Sequence, residues 1–545
     1  MSVRSGFVLL LSLSTLLFLA ACGNNTGGVS PTPPPTGSFS TSDLNGTYVF
    51  SVSGLDENDF PYAIAGTITA NGSGTITSGT LDINDADTTE FTGGPIVNAS
   101  ISNSSYSVGV DGRGEATLVT NVGPGFPDLT LAFVLSSSSH GLVSEMDTFA
   151  SGSGTLDLQT AGVTPTGSYA FSLSGASSTS GSAWATVGNF TLAGSTVTAG
   201  LDDLNEGGLV TYANQTLTGS LALNSSSGPG TTLSTPAFVD TFDVFAIDAS
   251  HLKFIETGPT ATLSGDAYSQ TSAAIPAETL AFTLASNEFA AGGFMVTDGN
   301  GNITNASTED YNDAGNVSAT PPGPFTATYA AAGTGRFVLG SFQTFVGGTS
   351  YAAYPSSGGV LLLQIDEANG ISVGAAYPQT AGATFAASQG YGLNLSGINL
   401  TETSSVGAET EVDDIAEFTA ASGGTLTGII NENFSPGGAP VTNPPPASGI
   451  TLTQGIYTAI STGRYGLSAA ASNNTLTTLN GGFDLTFYAV DGVTFPFIES
   501  DGGQVSTGVI VLQSPSSSSS AVVQPHSMFM VRPLIHSHTA RQKKQ

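Results

Sequence analysis

Only 9% of the 545 residues are charged, against about 25% in an ordinary soluble domain, and 9 Lys and Arg stand against 41 Asp and Glu for a net charge of −32. A chain this acidic repels phosphate backbones, which excludes nucleic acid as a partner. Helix-forming Lys, Glu and Arg are scarce while Gly, Ser and Thr abound, so the fold is predicted to be all-β.

The first element in the chain is apolar. Arg4 is its lone positive charge, and the run from Phe7 to Ala21 is broken only by Ser12, Ser14 and Thr15. It is short for a membrane span and ends in small residues, which favours cleavage over retention. Leu19-Ala20-Ala21-Cys22 resembles the lipobox of bacterial lipoproteins. That resemblance implies a signal peptide over residues 1–21, cut before Cys22, with palmitate-type acyl chains on the Cys22 thiol and on the new amino end. It also implies an exported protein anchored to the cell envelope through its lipid. Gly at position 23, where Asp would retain a lipoprotein inside, favours the outer membrane, with either face possible. Cys22 is the only cysteine, so no disulfide holds the chain together. Residues 22–43, with Pro31-Thr32-Pro33-Pro34-Pro35, have little to bury and read as a flexible tether.

Four repeats follow, expected at 44–160, 161–275, 276–382 and 383–514. Each opens with alternating large residues: Tyr48, Phe50, Val52; Tyr169, Phe171, Leu173; Leu280, Phe282, Leu284; Tyr391, Leu393, Leu395. Period-two alternation marks a strand with one face in a core and the other in water. Later landmarks recur in the same order. A second strand carries Ile68, Phe190, Phe294 or Phe418. A third ends at Asp82 and Asn84, Asp203 and Asn205, Asp310 and Asn312, or Asn431 and Asn433. Arg113, Arg336 and Arg464 open a fifth strand, Glu145, Glu256, Asp366 and Glu499 end a seventh, and Gln159, Gln270, Gln379 and Gln513 close each copy.

The first repeat reads as eight strands near 47–54, 62–70, 74–84, 98–109, 113–121, 128–136, 140–148 and 153–160, with hairpin signals at Asn71-Gly72 and Asp111-Gly112. Eight consecutive antiparallel strands fit a small up-and-down barrel. In strand count and length the pattern is similar to avidin-like and lipocalin-like barrels, without their ligand residues; the alternative is an Ig-like β-sandwich, whose Cys-Trp-Cys pattern is missing. The whole chain also resembles repeat-bearing envelope lipoproteins. Residues 515–545, with a serine run and Arg532, Arg541, Lys543 and Lys544, read as a disordered tail.

The candidate chemistry is thin. Arg113, Arg336 and Arg464 are expected to pair with their own repeat's acid, such as Glu145, Asp366 or Glu499, because a half-buried guanidinium needs a partner. The second repeat has Lys253 instead. The run Asp82 to Asp87 offers oxygen ligands but lacks the spacing and bidentate Glu of a calcium loop, and its Asx residues are expected to close turns on their own backbone. Gly370-Ile371-Ser372-Val373-Gly374 spells a hydrolase elbow, yet that motif needs a strand-turn-helix setting and a downstream histidine. His526, His536 and His538 lie in the tail, and His140 and His251 are expected in exposed turns.

No catalytic, metal or cofactor residue is therefore assigned; the one site residue is Cys22, for lipid attachment. The expected role is non-enzymatic: an envelope-displayed structural or adhesion-like protein whose partner is a glycan or a protein. The alternative is a carrier holding a small apolar or saccharide ligand in each barrel. Tyr48, Phe50, Ile68, Tyr169, Phe171 and Phe190 are expected to fill the barrels and disfavour the carrier.

Overall fold

Alternation of large apolar and small residues is what bends these strands into barrels: the large side chains take the inside, and the small ones let neighbours approach outside. In the computed structural model, residues 38–515 are described apart from 88–93, 124–125, 179–180, 208–209, 226–229, 273, 287, 319–322, 345–346, 367–370, 404–408, 436–448 and 472–481. Cys22, the tether up to residue 37 and the tail from 516 lie outside the described residues.

The first barrel comprises β1 (Asn45–Asp56), β2 (Pro61–Asn71), β3 (Thr75–Asp85), β4 (Ile96–Ile101), β5 (Ser104–Val108), β6 (Arg113–Leu118), β7 (Leu129–Ser137), β8 (His140–Met146) and β9 (Ala150–Leu158). Apart from β4 and β5, which both lie beside β3, consecutive strands pair antiparallel, β9 returns to β1, and β2 pairs with β3, so the sheet closes. The predicted fourth strand is broken in two. Asn103 turns left-handed there, at φ 54°, and β4 and β5 share one place in the barrel beside β3. The second and third barrels repeat this order, and the fourth is a closed barrel of eight strands from Gln389 to Leu512. The sandwich alternative is thereby replaced by four closed antiparallel barrels in tandem.

Each barrel has its own filled interior. Tyr48, Phe50, Val52 and Ile68 lie in one buried cluster, and Tyr169, Phe171, Leu173 and Phe190 in another. Burying each such side chain is worth about 1.5–3 kcal/mol. The recurring tyrosine also closes the barrel end: Tyr48 Oη donates to Ser138 O at 2.6 Å, and Tyr169 Oη to Ala249 O at 2.7 Å.

The other face of the first strands is not in water, which corrects the alternation reading. Val49, Ala63 and Ala65 of the first barrel share a buried cluster with Ala170, Ala185 and Val187 of the second and Tyr354 and Leu361 of the third. Residues of this size let two sheets pack back to back.

The barrels are arranged head to tail in a closed ring. In each joint the opening three strands of one barrel pack on the closing three of the next, and the fourth barrel packs in the same way on the first. The recurring Asn and Gln landmarks are the joints. Asn84 Nδ2 donates to Glu256 O, Asn205 Nδ2 to Gln364 O, Asn312 Nδ2 to Gln504 O, and Asn433 Nδ2 to Glu145 O, the last bond closing the circle at 2.9 Å. Gln159 reaches Ala246 O, Gln270 reaches Pro355 O, Gln379 reaches Ala489 O and Gln513 reaches Leu135 O in the same sense. The expectation that the third-strand Asx residues serve their own turns is therefore wrong for these asparagines. They satisfy carbonyls of the following barrel.

All four barrels point the same way. The described chain enters on one face, where Phe39 N donates to Val110 O at 3.1 Å, and it leaves on that face, where Gln513 Nε2 donates to Asp111 O at 2.8 Å. Most turns on this entry face are tight, such as 72–74, 138–139 and 462–463. The strands preceding connections 86–95, 119–128, 365–372, 436–449 and 472–481 end on the opposite face, whereas 221–230 and the inter-barrel linkers 159–166, 270–278 and 379–388 join strand ends on the entry face.

Candidate functional site

The joints gather most of the polar groups that the repeats have in common. Alternation points Leu81 and Ile83 inward, so Asp82 points outward to the next barrel, and Asp203 and Asp310 do likewise. Arg336 of the third barrel donates Nε to Asp203 Oδ2 and Nη2 to Asp203 Oδ1 of the second, both at 2.6 Å. Tyr354 Oη joins the same carboxylate at 2.6 Å. Arg464 of the fourth barrel repeats this on Asp310 of the third, at 2.7 and 2.5 Å, with Tyr488 Oη at 2.8 Å. The desolvated phenols of Tyr354 and Tyr488, each beside an acid, are held well above their ordinary pKa.

Two arginines thus pair with the preceding barrel's acid and not with their own, which overturns that expectation. Asp366 instead accepts Ser350 N–H at 3.0 Å and Gln364 Nε2 at 2.8 Å. Arg113 does pair within its own barrel, with Asp111 at 2.8 Å. The two tyrosines went unread because nothing in a single repeat shows what lies across the joint.

His140 and His251 are not exposed. His140 Nδ1 lies 2.6 Å from Asp157 Oδ1, and His251 Nε2 lies 2.6 Å from Asp266 Oδ1, with Lys253 Nζ on the same oxygen at 3.1 Å. All five side chains are buried because the outer faces of the closing strands are covered by neighbouring barrels. Ser372, from the elbow-like spelling, is buried in the third barrel, within hydrogen-bonding distance of Tyr351 Oη at 2.6 Å and donating to Gln364 Oε1 at 3.1 Å.

A second set of acids points into the barrels near the loop face. Asp202, Asp240 and Glu256 lie inside the second barrel, Glu309 inside the third, and Asp414 and Glu499 inside the fourth. Burial is the first cause of their raised pKa values: Asp202 and Glu309 reach about 8, Glu256 about 9 and Asp240 about 6, with neighbouring carboxylates adding to the first three. Asp414 beside Glu432, and Glu499 beside Asp501, are pushed well above the carboxylate range. All are buried, and apart from Asp240 they hold protons at neutral pH. Among the described residues, no three of His, Cys, Asp and Glu come together as a metal cluster.

The barrel interiors are packed, but a groove of about 260 Å³ lies between the third and fourth barrels. Tyr311, Ile456, Thr458, Arg464, Asp484 and Ser500 are among the residues lining it. Ile456 and Ile460 stand half-exposed at its edge.

Fold and joints together define a ring of four barrels. No family model matches this chain, and no curated protein matches it. Among solved structures, isotype 1 transferrin binding protein B from serogroup B Neisseria meningitidis is similar at 10% identity, covering 86% of this chain and 99% of that chain, with a TM-score of 0.19. At that score the likeness carries no argument about what this chain binds.

Proposed function

We propose that the chain is a lipid-anchored, non-enzymatic envelope protein that uses the ring as a rigid platform to present loops to a glycan or protein partner. The observation that carries this reading is the division of the ring into two faces. The chain enters and leaves on one face, and five of the longer connections, 86–95, 119–128, 365–372, 436–449 and 472–481, follow strands that end on the other. The first described residues lie on the entry face, so anchoring through the segment before them would leave those five connections facing away from the membrane. Packed interiors favour binding on the outside. The rival carrier reading has the groove beside Arg464 as its best support.

Replacing 86–95 and 436–449 with short Gly-Ser turns is expected to abolish adherence to glycans or cells while the melting temperature stays within a few degrees. Adherence that survives both replacements, together with a stoichiometric small molecule retained in native mass spectrometry, would establish the carrier instead.

Anchoring is tested separately. Cys22→Ser is expected to abolish acyl labelling and to move the protein from the membrane fraction to the soluble envelope, or to leave uncleaved precursor. Unchanged labelling and fractionation would rule out attachment through Cys22.

A further inference from the structure

The four joints are not chemically equal, and the difference falls on one buried carboxylate. Asp203 receives two hydrogen bonds from Arg336, one from Tyr354 and one from Asn214 N–H at 2.8 Å. Asp310 receives two from Arg464 and one from Tyr488. The corresponding group where the first barrel meets the second is Asp82. It accepts Asn98 N–H at 2.6 Å, but among the described residues no arginine reaches it, and the second barrel has Phe245 where the third has Tyr354. Asp82 is 0% exposed and its Oδ2 receives no hydrogen bond. What it faces is a second carboxylate, Asp243, which is also 0% exposed.

Two amides complete the surroundings. Asn224 Nδ2 donates to Asp243 Oδ2 and, at 2.9 Å, to Asn98 Oδ1, while Asn98 Nδ2 reaches Ser225 O at 2.9 Å. Asn98 and Asn224 are half-exposed, which leaves a way in from solvent. Asn98 sits at φ 57° and Asn214 of the next joint at φ 56°, so the same turn delivers the same N–H in both places. What differs is that the arginine and the tyrosine are replaced by Phe245 and a second carboxylate, Asp243.

We infer that this joint binds a divalent cation of the calcium class between Asp82 and Asp243, in the position where the next two joints hold an arginine. In those joints one guanidinium balances one carboxylate. Here two carboxylates face each other, and one divalent ion restores neutrality. The surrounding ligand atoms are all oxygens, which suits a hard cation. Asp82 Oδ2 is the unpartnered one, and the Asp243, Asn98 and Ser225 oxygens, now bonded to Val244 N–H, Asn224 and Asn98, would turn from those bonds to the ion. Their irregular arrangement suits calcium better than magnesium, which demands a near-ideal octahedron. The rest of the acidic run is otherwise engaged: Asn84 in the joint, Asp85 on Asp87 N–H, and Asp87 on Asn58. The site is therefore assembled from two barrels and is not a loop of one.

The test uses the full chain, stripped with chelator, at neutral pH and physiological salt. Calorimetric titration with calcium chloride is expected to show one site per chain and a melting temperature raised by several degrees, with a much weaker response to magnesium chloride. Asp243→Asn is expected to fold, because an amide can donate to Asp82, and to lose both the heat and the shift. Asn224→Asp, which adds a carboxylate at the half-exposed rim, is expected to tighten binding about tenfold or more. The inference is overturned if calcium gives neither heat nor shift in the parent chain, as it would if the pair simply shared a proton. It is equally overturned if Asp243→Asn keeps the full response, which would put the ion elsewhere on this acidic protein.

Discussion

In chelator, the full chain is expected to melt at a higher temperature at pH 5 than at pH 8, by about 5 °C or more. The cause is the set of protonated acids inside the barrels. Asp202 and Glu309 titrate near 8 and Glu256 near 9 in the folded protein, raised above all by burial, whereas unfolded carboxyls titrate near 4. A raised carboxyl stabilises the fold fully below its unfolded value, and that contribution is lost as pH climbs toward the folded one. Each group costs about 1.4 kcal/mol per pH unit in that window, so two groups over two units cost on the order of 5 kcal/mol. Asp157 works in the opposite sense: although burial alone would raise it, its neighbours His140, Lys253 and His251 hold it below its ordinary value, so its share is lost only in strong acid. Calorimetric melts across this pH range give the slope directly. Glu256→Gln should flatten it and raise the melting temperature at pH 8; a melting temperature that is flat or rises with pH would mean that these acids are not held protonated.

The second large effect is expected at Arg336. Removing it as Arg336→Ala leaves Asp203 buried with a charge and only Tyr354 and Asn214 to meet it, at a cost of about 3–5 kcal/mol. Arg113→Ala should cost far less, since Asp111 keeps 19% of its side chain exposed and can be solvated. Paired denaturant melts of the two variants check the ranking. Replacing Asp203 by Asn in the Arg336→Ala background should recover much of the loss, because the amide carries no charge to strand. Equal losses for the two arginine variants would contradict a joint built on Asp203.

The barrels were legible in the sequence because their cause is local. Tyr48, Phe50 and Val52 alternate within five residues, and Asn71-Gly72 announces its own hairpin. The joints were visible as landmarks but not as joints. Asn433 and Glu145 are 288 residues apart, and Arg336 and Asp203 are 133 apart. Nothing near Arg336 says that its acid lies in the preceding repeat, so its own repeat's Asp366 was the natural but incorrect choice. His140 was misplaced for a related reason: a histidine at a turn reads as exposed until a second barrel covers it. Of the inward acids, Glu256 and Glu499 are visible as the recurring end of a seventh strand but not as inward-facing, since alternation predicts apolar residues at such positions.

The head-to-tail joint sets a rule of arithmetic for the length of this protein. Every barrel offers one surface that donates, through residues such as Asn84, and another that accepts, through carbonyls such as Glu256 O. Four units let the last donor find the first acceptor. A chain shortened or lengthened by one repeat would keep both surfaces but lose the angle at which they meet. Unmatched surfaces of this unlike-to-unlike kind seek each other on other molecules and grow into open filaments. Duplication or loss of a repeat would therefore turn a finite particle into a polymer, and the number four is protected by solubility as much as by stability.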